Sequence, residues 1–223
     1  MQLRLRPRKK KKTDTLTQDP TDPEDDSEDP DEREDGDVAV PSPEGNTVYV
    51  RYRHSFMSRM IQSDDEIKGY YRDIKNKLLS YSGVKARMSW GFESFSVGRL
   101  QIAKMNIRGK ALVVFFAIDP SELDAKYHVK DNSEKSRYSA VPSLFRVKSA
   151  RSVKFAFEIV DMIMKKNSIE QLEDRVCEEY DLEYRDTATL AREGYVKAIY
   201  STDAVVDENT TVEQANVAEF IKK

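Results

Sequence analysis

The 223-residue chain holds one cysteine, Cys177, and two histidines, His54 and His128. A single thiol excludes an intrachain disulfide and accords with a reducing compartment. Two histidines and one cysteine scattered over the chain do not have the spacing of a zinc site. No apolar run approaches 18 residues, so no transmembrane helix is expected. Also missing are a glycine-rich phosphate loop, a nucleophile elbow and a kinase signature. Hydrophobic residues make up 39% and charged residues 35%, too few of the first for every segment to pack into a core.

The shortfall is concentrated at the start. Met1 to Lys12 carries Arg4, Arg6, Arg8 and Lys9 to Lys12, with no apolar run behind them to make a secretory signal. It reads as a nuclear-localisation-like or nucleic-acid-binding arm, or as a solvated tail. From Thr13 to Asn46 there are 14 acidic residues against the single Arg33, broken by Pro20, Pro23, Pro30, Pro41 and Pro43. Such a stretch cannot bury enough surface to offset the entropy of ordering it, so residues 1–46 are expected to be disordered. Asp31, Asp35 and Gly36 sit at offsets that resemble a calcium loop. Arg33 in a ligand position and Ser42 in place of the bidentate glutamate exclude that site.

The densest patterning lies between Val84 and Ile118. Val84, Ala86, Met88 and Trp90 alternate with Lys85, Arg87 and Ser89, which predicts a strand burying the first set. Phe92 to Val97 reads as a second strand, between Gly91 and Gly98. Ala103, Met105 and Ile107 mark a third, ending at the Arg108-Gly109 turn. Ala111 to Ile118 is apolar on both faces, as a covered central strand should be, and Asp119-Pro120 ends it. Tyr127–Val129 and Ser143–Val147 could add one more strand.

Two helices are expected to cover this sheet. Ser63 and Glu66 have capping-box spacing, and Ile67, Tyr71, Ile74 and Leu78 draw one stripe to about Tyr81, before the exit at Gly83. A second helix should start between Ser149 and Ser152 and bury Val153, Phe157, Val160 and Met164, widened by Ala156, Ile159 and Ile163. Asn167 would cap its end. The fold class is therefore α+β, an antiparallel four- to five-stranded sheet under two helices. Residues 47–166 form the domain, and residues 167–223 a small acidic unit. That unit is expected to contain a helix over Ile169–Tyr180, a strand over Gly194–Tyr200 and a short segment over Thr211–Ile221.

Charge divides the chain more sharply than its total suggests. The whole is −3, yet residues 51–166 hold 23 Lys and Arg against 12 Asp and Glu, while residues 167–223 hold 6 against 14. A basic domain between acidic flanks suits a polyanion, because neutralised phosphates release their counterions. The same charges could serve only solubility. The candidate contacts are Lys85, Arg87, Arg99, Arg108, Arg146 and Lys148, supported by Lys104, Lys110 and Arg151. Trp90, Phe92, Phe95, Tyr127 and Phe145 are interleaved with them, either as a stacking platform or as core. Trp90, Glu93, Tyr127 and His128 are the residues from which a small-molecule-binding or catalytic pocket could be built. A protein-interaction scaffold is the third reading. No cofactor or metal is called for, and the location expected is cytoplasmic.

The run from Ile61 to Pro120, with KYHVKD and SLFRVKSARSVKFAFEIV after it, resembles a bacterial domain of unknown function found in many gut-dwelling Firmicutes. The likeness covers about Tyr49 to Lys166, and SWGFESF, IRGKAL and KYHV are its specific parts. The order helix, meander, strand, helix is also similar to YdhG-like domains, whose frataxin-like arrangement implies an iron-chaperone role. The acidic helix face on which that role depends is replaced here by Asp64, Asp65, Glu66 and Asp73 mixed with Lys68, Arg72, Lys75 and Lys77. TLAREGYVKAIY and TVEQANVAEF resemble a fragment of ribosomal protein L-fifteen, which implies an RNA-binding tail, though the balance here is acidic.

Overall fold

The computed structural model describes residues 38–41, 47–173, 178–180 and 182–202, with side chains for those between 51 and 199. In chain order the elements are β1 (Val38–Pro41), β2 (Thr47–His54), α1 (Phe56–Ile61), α2 (Asp65–Leu79), β3 (Val84–Met88), β4 (Glu93–Val97), β5 (Leu100–Arg108), β6 (Ala111–Phe116), β7 (Lys130–Asp131), β8 (Ser143–Val147), α3 (Ala150–Lys166), α4 (Thr187–Arg192) and β9 (Val196–Thr202).

They make an α+β fold with two antiparallel sheets, one of six strands in the order β3-β4-β5-β6-β8-β7 and one of three, β1-β2-β9. The large sheet therefore exceeds the expected four to five strands. The added strand is β7, two residues beside β8, while Tyr127 lies not in a strand but in a single 3-10 turn, Ala125–Tyr127. The meander β3 to β6 is present, with Gly98 and Gly109 at positive φ in its two tight turns.

Helices α1, α2 and α3 lie on one face of the large sheet, α2 over β3 and β6 and α3 over β8. Ile74, Leu78, Val160 and Ile163 meet Phe95, Met105, Leu112, Val114 and Phe116 there, all buried. β6 is covered on its other face too, where Val113 and Phe115 pack with Tyr138, Val141 and Leu144 from the β7–β8 connection and β8. This is the physical reason for its unbroken apolar run.

Two local expectations are corrected. Ser63 does not cap α2: its hydroxyl donates to the Arg59 carbonyl, and Asp64 occupies the N-cap without a side-chain bond. The turn of α1 just upstream offers Ser63 a carbonyl acceptor. β3 buries only Val84, leaving Ala86 and Met88 exposed, because it is the sheet's edge strand. By contrast α3 starts as its sequence predicts. Ser149 Oγ accepts from Ser152 N at 3.3 Å, Ser152 Oγ accepts from Ser149 N at 2.9 Å, and Asn167 ends the helix. Replacing Ser149 with alanine should lower stability by about 1 kcal/mol, measured by urea unfolding with unchanged m.

The C-terminal region is built differently from expectation. No helix forms over the described residues 169–173 and 178–180. Gln171 instead bridges to Tyr81, Leu172 N donates to Ser80 O at 2.8 Å, and Ser82 N donates to Glu170 O at 2.9 Å. The exit of α2 satisfies the backbone that a helix would have satisfied internally. β9 falls where GYVKAIY places a strand, but it pairs with β2 over seven residues and so ties this region to the start of the domain. Val38–Pro41, within the stretch read as an acidic arm, pairs with β2 on its other side. Residues 1–37 and 203–223, including the segment Thr211–Ile221, lie outside the described residues. Among the described residues no helix is long and apolar enough to cross a membrane.

Candidate polyanion interface and a buried ion pair

Register decides which charges share a face. Arg87 opposes Ser94, Ser94 opposes Lys104, Lys104 opposes Phe115 and Phe115 opposes Leu144, a single row across β3, β4, β5, β6 and β8. In the next row Asn106 opposes Val113 and Val113 opposes Arg146. Side chains two apart on a strand point the same way. Lys85, Arg87, Lys104, Arg108 and Arg146 therefore all project from the sheet face opposite the helices. Lys85, Arg87 and Arg146 are exposed there. Arg99 in the β4–β5 turn and Lys148 beyond β8 are exposed at its rim.

Arg108 departs from the expectation. Its side chain is 5% exposed, with Nη2 donating to the Tyr138 hydroxyl at 3.2 Å and the guanidinium 5.1 Å from the Phe115 ring centre. It is a buried strut under Tyr138, not a surface donor. Tyr138 stacks on Phe115 with centroids 4.1 Å apart and planes 5° from parallel. Lys104 Nζ donates to the Arg137 carbonyl at 2.9 Å and lies 4.7 Å from the Phe92 centroid. The Arg137 guanidinium covers the same Phe92 ring at 5.3 Å. Cations and rings thus form one chain of contacts on this face, Arg137, Phe92, Lys104, Tyr138, Phe115 and Arg108, with the two rings Tyr138 and Phe115 stacked and the other contacts of the cation–π kind.

Arg137, Tyr138 and Phe115 are the members that sequence reasoning misses. Arg137 and Tyr138 sit in a polar connection, and nothing in their neighbours announces that a 3-10 turn, Ser136–Tyr138, lays them back on the sheet. Phe115 is legible only as an apolar residue of a doubly covered strand. Of the rings expected on the platform, Phe92 is there. Phe95, Phe145 and Tyr127 are core, on the helical side.

No family model, no curated protein and no solved structure matches the chain. Its own geometry is what bears on its role.

The residues of the expected pocket are distributed over different elements. Trp90 lies under Lys197 of β9, with Nζ 4.5 Å from the indole. Tyr127 donates to Glu158 of α3 at 2.7 Å and meets Phe155 edge-on. Burial first, and the bond to Glu158 second, raise its phenol above the ordinary range. His128 is exposed in a left-handed conformation at φ 50°. Glu93 faces α2. Among the described residues no group of three His, Cys, Asp or Glu could hold a metal ion.

Glu93 belongs to a separate buried cluster. It is 2% exposed, and its Oε1 is 2.7 Å from Lys75 Nζ while its Oε2 accepts from the Tyr71 hydroxyl at 2.8 Å. Lys75 also donates to the Tyr71 oxygen at 2.9 Å and points over the Tyr180 ring at 4.2 Å. Burial first, and the Glu93 charge second, push the Tyr71 hydroxyl far above the usual phenol range, so it stays a donor at neutral pH. Each polar atom named here has a partner within the cluster, which makes it a joint between α2 and β4.

Proposed function

We propose that this protein is a non-enzymatic binding module that holds single-stranded nucleic acid on the cationic face of its six-stranded sheet. The observation that carries the reading is the projection of exposed Lys85, Arg87 and Arg146 from one face of the sheet, with Arg99 and Lys148 at the rim. Lys85, Arg87, Arg99, Arg146 and Lys148 are the phosphate donors in this account, and Arg137 over Phe92 is the place where a base would stack. A cytoplasmic setting accords with the single cysteine. Kinship with the Firmicutes-type domain of unknown function, read from SWGFESF, IRGKAL and KYHV, is part of the same proposal.

The test is a salt titration of the full chain with a short fluorescent single-stranded RNA. Log affinity should fall linearly with log salt. The pair R87E/R146E should weaken binding by at least about tenfold at low salt and reduce the slope by about two, one for each phosphate no longer neutralised. An unchanged slope with unchanged affinity removes the face as the site. Binding to an acidic peptide but not to RNA at equal charge would move the partner to an acidic protein.

A further inference from the structure

The cationic face has a second candidate occupant in the chain itself. Between Asp14 and Asp37 there are 13 acidic residues and one arginine, and this stretch ends immediately before β1. The direction of β1 matters here. Val38 opposes Val50 and Pro41 opposes Thr47, so the chain enters β1 from the His54 end of β2. That end adjoins the large sheet: Phe56 N donates to Trp90 O at 2.6 Å, two residues beyond β3. The other acidic terminus leaves the opposite way, because Thr202, the last residue of β9, opposes Val48.

From this geometry we propose that the acidic segment Asp14–Asp37 lies on the cationic sheet face in the ligand-free protein and must be displaced before a polyanion binds. This rests on the polyanion reading of the face and adds its regulation. Reach is sufficient. The path from Val38 through β2, Phe56 and Trp90 to Arg87 is at most about 40 Å at the extended rise per residue. The 24 residues of the segment would span about 80 Å fully extended and roughly 27 Å as a relaxed coil. A tether of this length holds its charges near the face at an effective concentration of about millimolar. Pairing of this kind, between exposed charges, is screened within about 8 Å at physiological salt, which makes the occupancy salt-dependent.

Two measurements on the full chain separate this proposal from the reading beneath it. The first is a nitroxide at Ser27→Cys in a Cys177→Ser background, read through the amide resonances of Lys85, Arg87 and Arg146. They should broaden at about 50 mM salt and recover at roughly 500 mM. Absence of broadening, or broadening seen only between differently labelled molecules, overturns the proposal whatever the RNA affinity is. The second is RNA affinity after Glu24, Asp25, Asp26, Glu28, Asp29 and Asp31 are replaced by their amides. Affinity should rise by about tenfold at low salt, and the gain should vanish at high salt. An unchanged affinity, where R87E/R146E still weakens binding and lowers its salt slope, leaves the face as the RNA site and overturns the arm as its occupant. Broadening with no RNA binding in any variant retains the arm on the face and removes RNA as its ligand.

Discussion

Replacement of Lys75 by methionine is expected to lower the unfolding free energy by about 3–5 kcal/mol. Methionine keeps the aliphatic bulk in the α2 face but leaves the Glu93 carboxylate, 2% exposed, without its cation. Only the Tyr71 hydroxyl would then remain of the two bonds described for that carboxylate. The penalty is that of an unpaired buried charge rather than the net worth of the pair. Removing both partners should therefore be milder than removing one. The double variant K75M/E93L should recover at least half of the loss, and a double-mutant cycle by urea unfolding gives the coupling directly. Tyr71→Phe, which keeps the ion pair and deletes only a hydroxyl that donates to Glu93 and accepts from Lys75, should lie well below K75M, at about 1–3 kcal/mol. If K75M were as stable as the parent, the ion pair would not be a joint between α2 and β4.

That cluster also shows where sequence reading reaches its limit. Tyr71, Ile74 and Leu78 are legible as the buried stripe of α2, and they are buried. Lys75 lies one position from Ile74 and reads as solvent-facing charge, because periodicity knows the face but not what waits opposite it. The partner, Glu93, is 18 positions away on β4, and only the pairing of the sheet brings the two together. The same limit explains the misreading of β3. Its alternation is real, yet alternation tells which residues share a face, and an edge strand need not have a helix above that face. Conversely, the doubly covered β6 and the capped α3 are legible because their causes are local: an unbroken apolar run, and a serine pair three residues apart. β2 escapes notice although Tyr52 and His54 continue an alternation begun at Val48 and Val50. Its strand character waits on β9, about 150 residues later in the chain. For the interface, the basic character of Lys85, Arg87 and Arg146 can be read directly. That Arg108 is a strut and Arg137 a surface cation depends on the fold of the Asn132–Pro142 connection, whose ends are joined by the bond from Asn132 N to Pro142 O at 2.9 Å.

The connection makes the strongest functional prediction as well. Tyr138 is 3% exposed, is stacked on Phe115, and accepts from Arg108. Tyr138→Ala should cost about 3–5 kcal/mol, through the lost ring and the cavity over Phe115. Tyr138→Phe keeps the stack and deletes one bond to a charged group, so about 1.5–3 kcal/mol is expected. Binding should move in the opposite direction to stability. With the ring gone, Phe115 and the Arg108 guanidinium open to the face, adding one stacking surface and one cation to those already presented by Arg87 and Arg146. RNA affinity of the alanine variant, measured where it is still folded, should rise, and the salt slope should steepen by about one. Tyr138→Phe should leave both unchanged. The two effects of the alanine variant come from one side chain, so they discriminate between two roles for it. If Tyr138→Ala weakened binding at constant slope, the ring itself would be the stacking surface and Arg108 would stay out of reach of phosphate. If binding tightened and the slope steepened, Tyr138 would be a cover that stabilises the sheet at the expense of its cationic face.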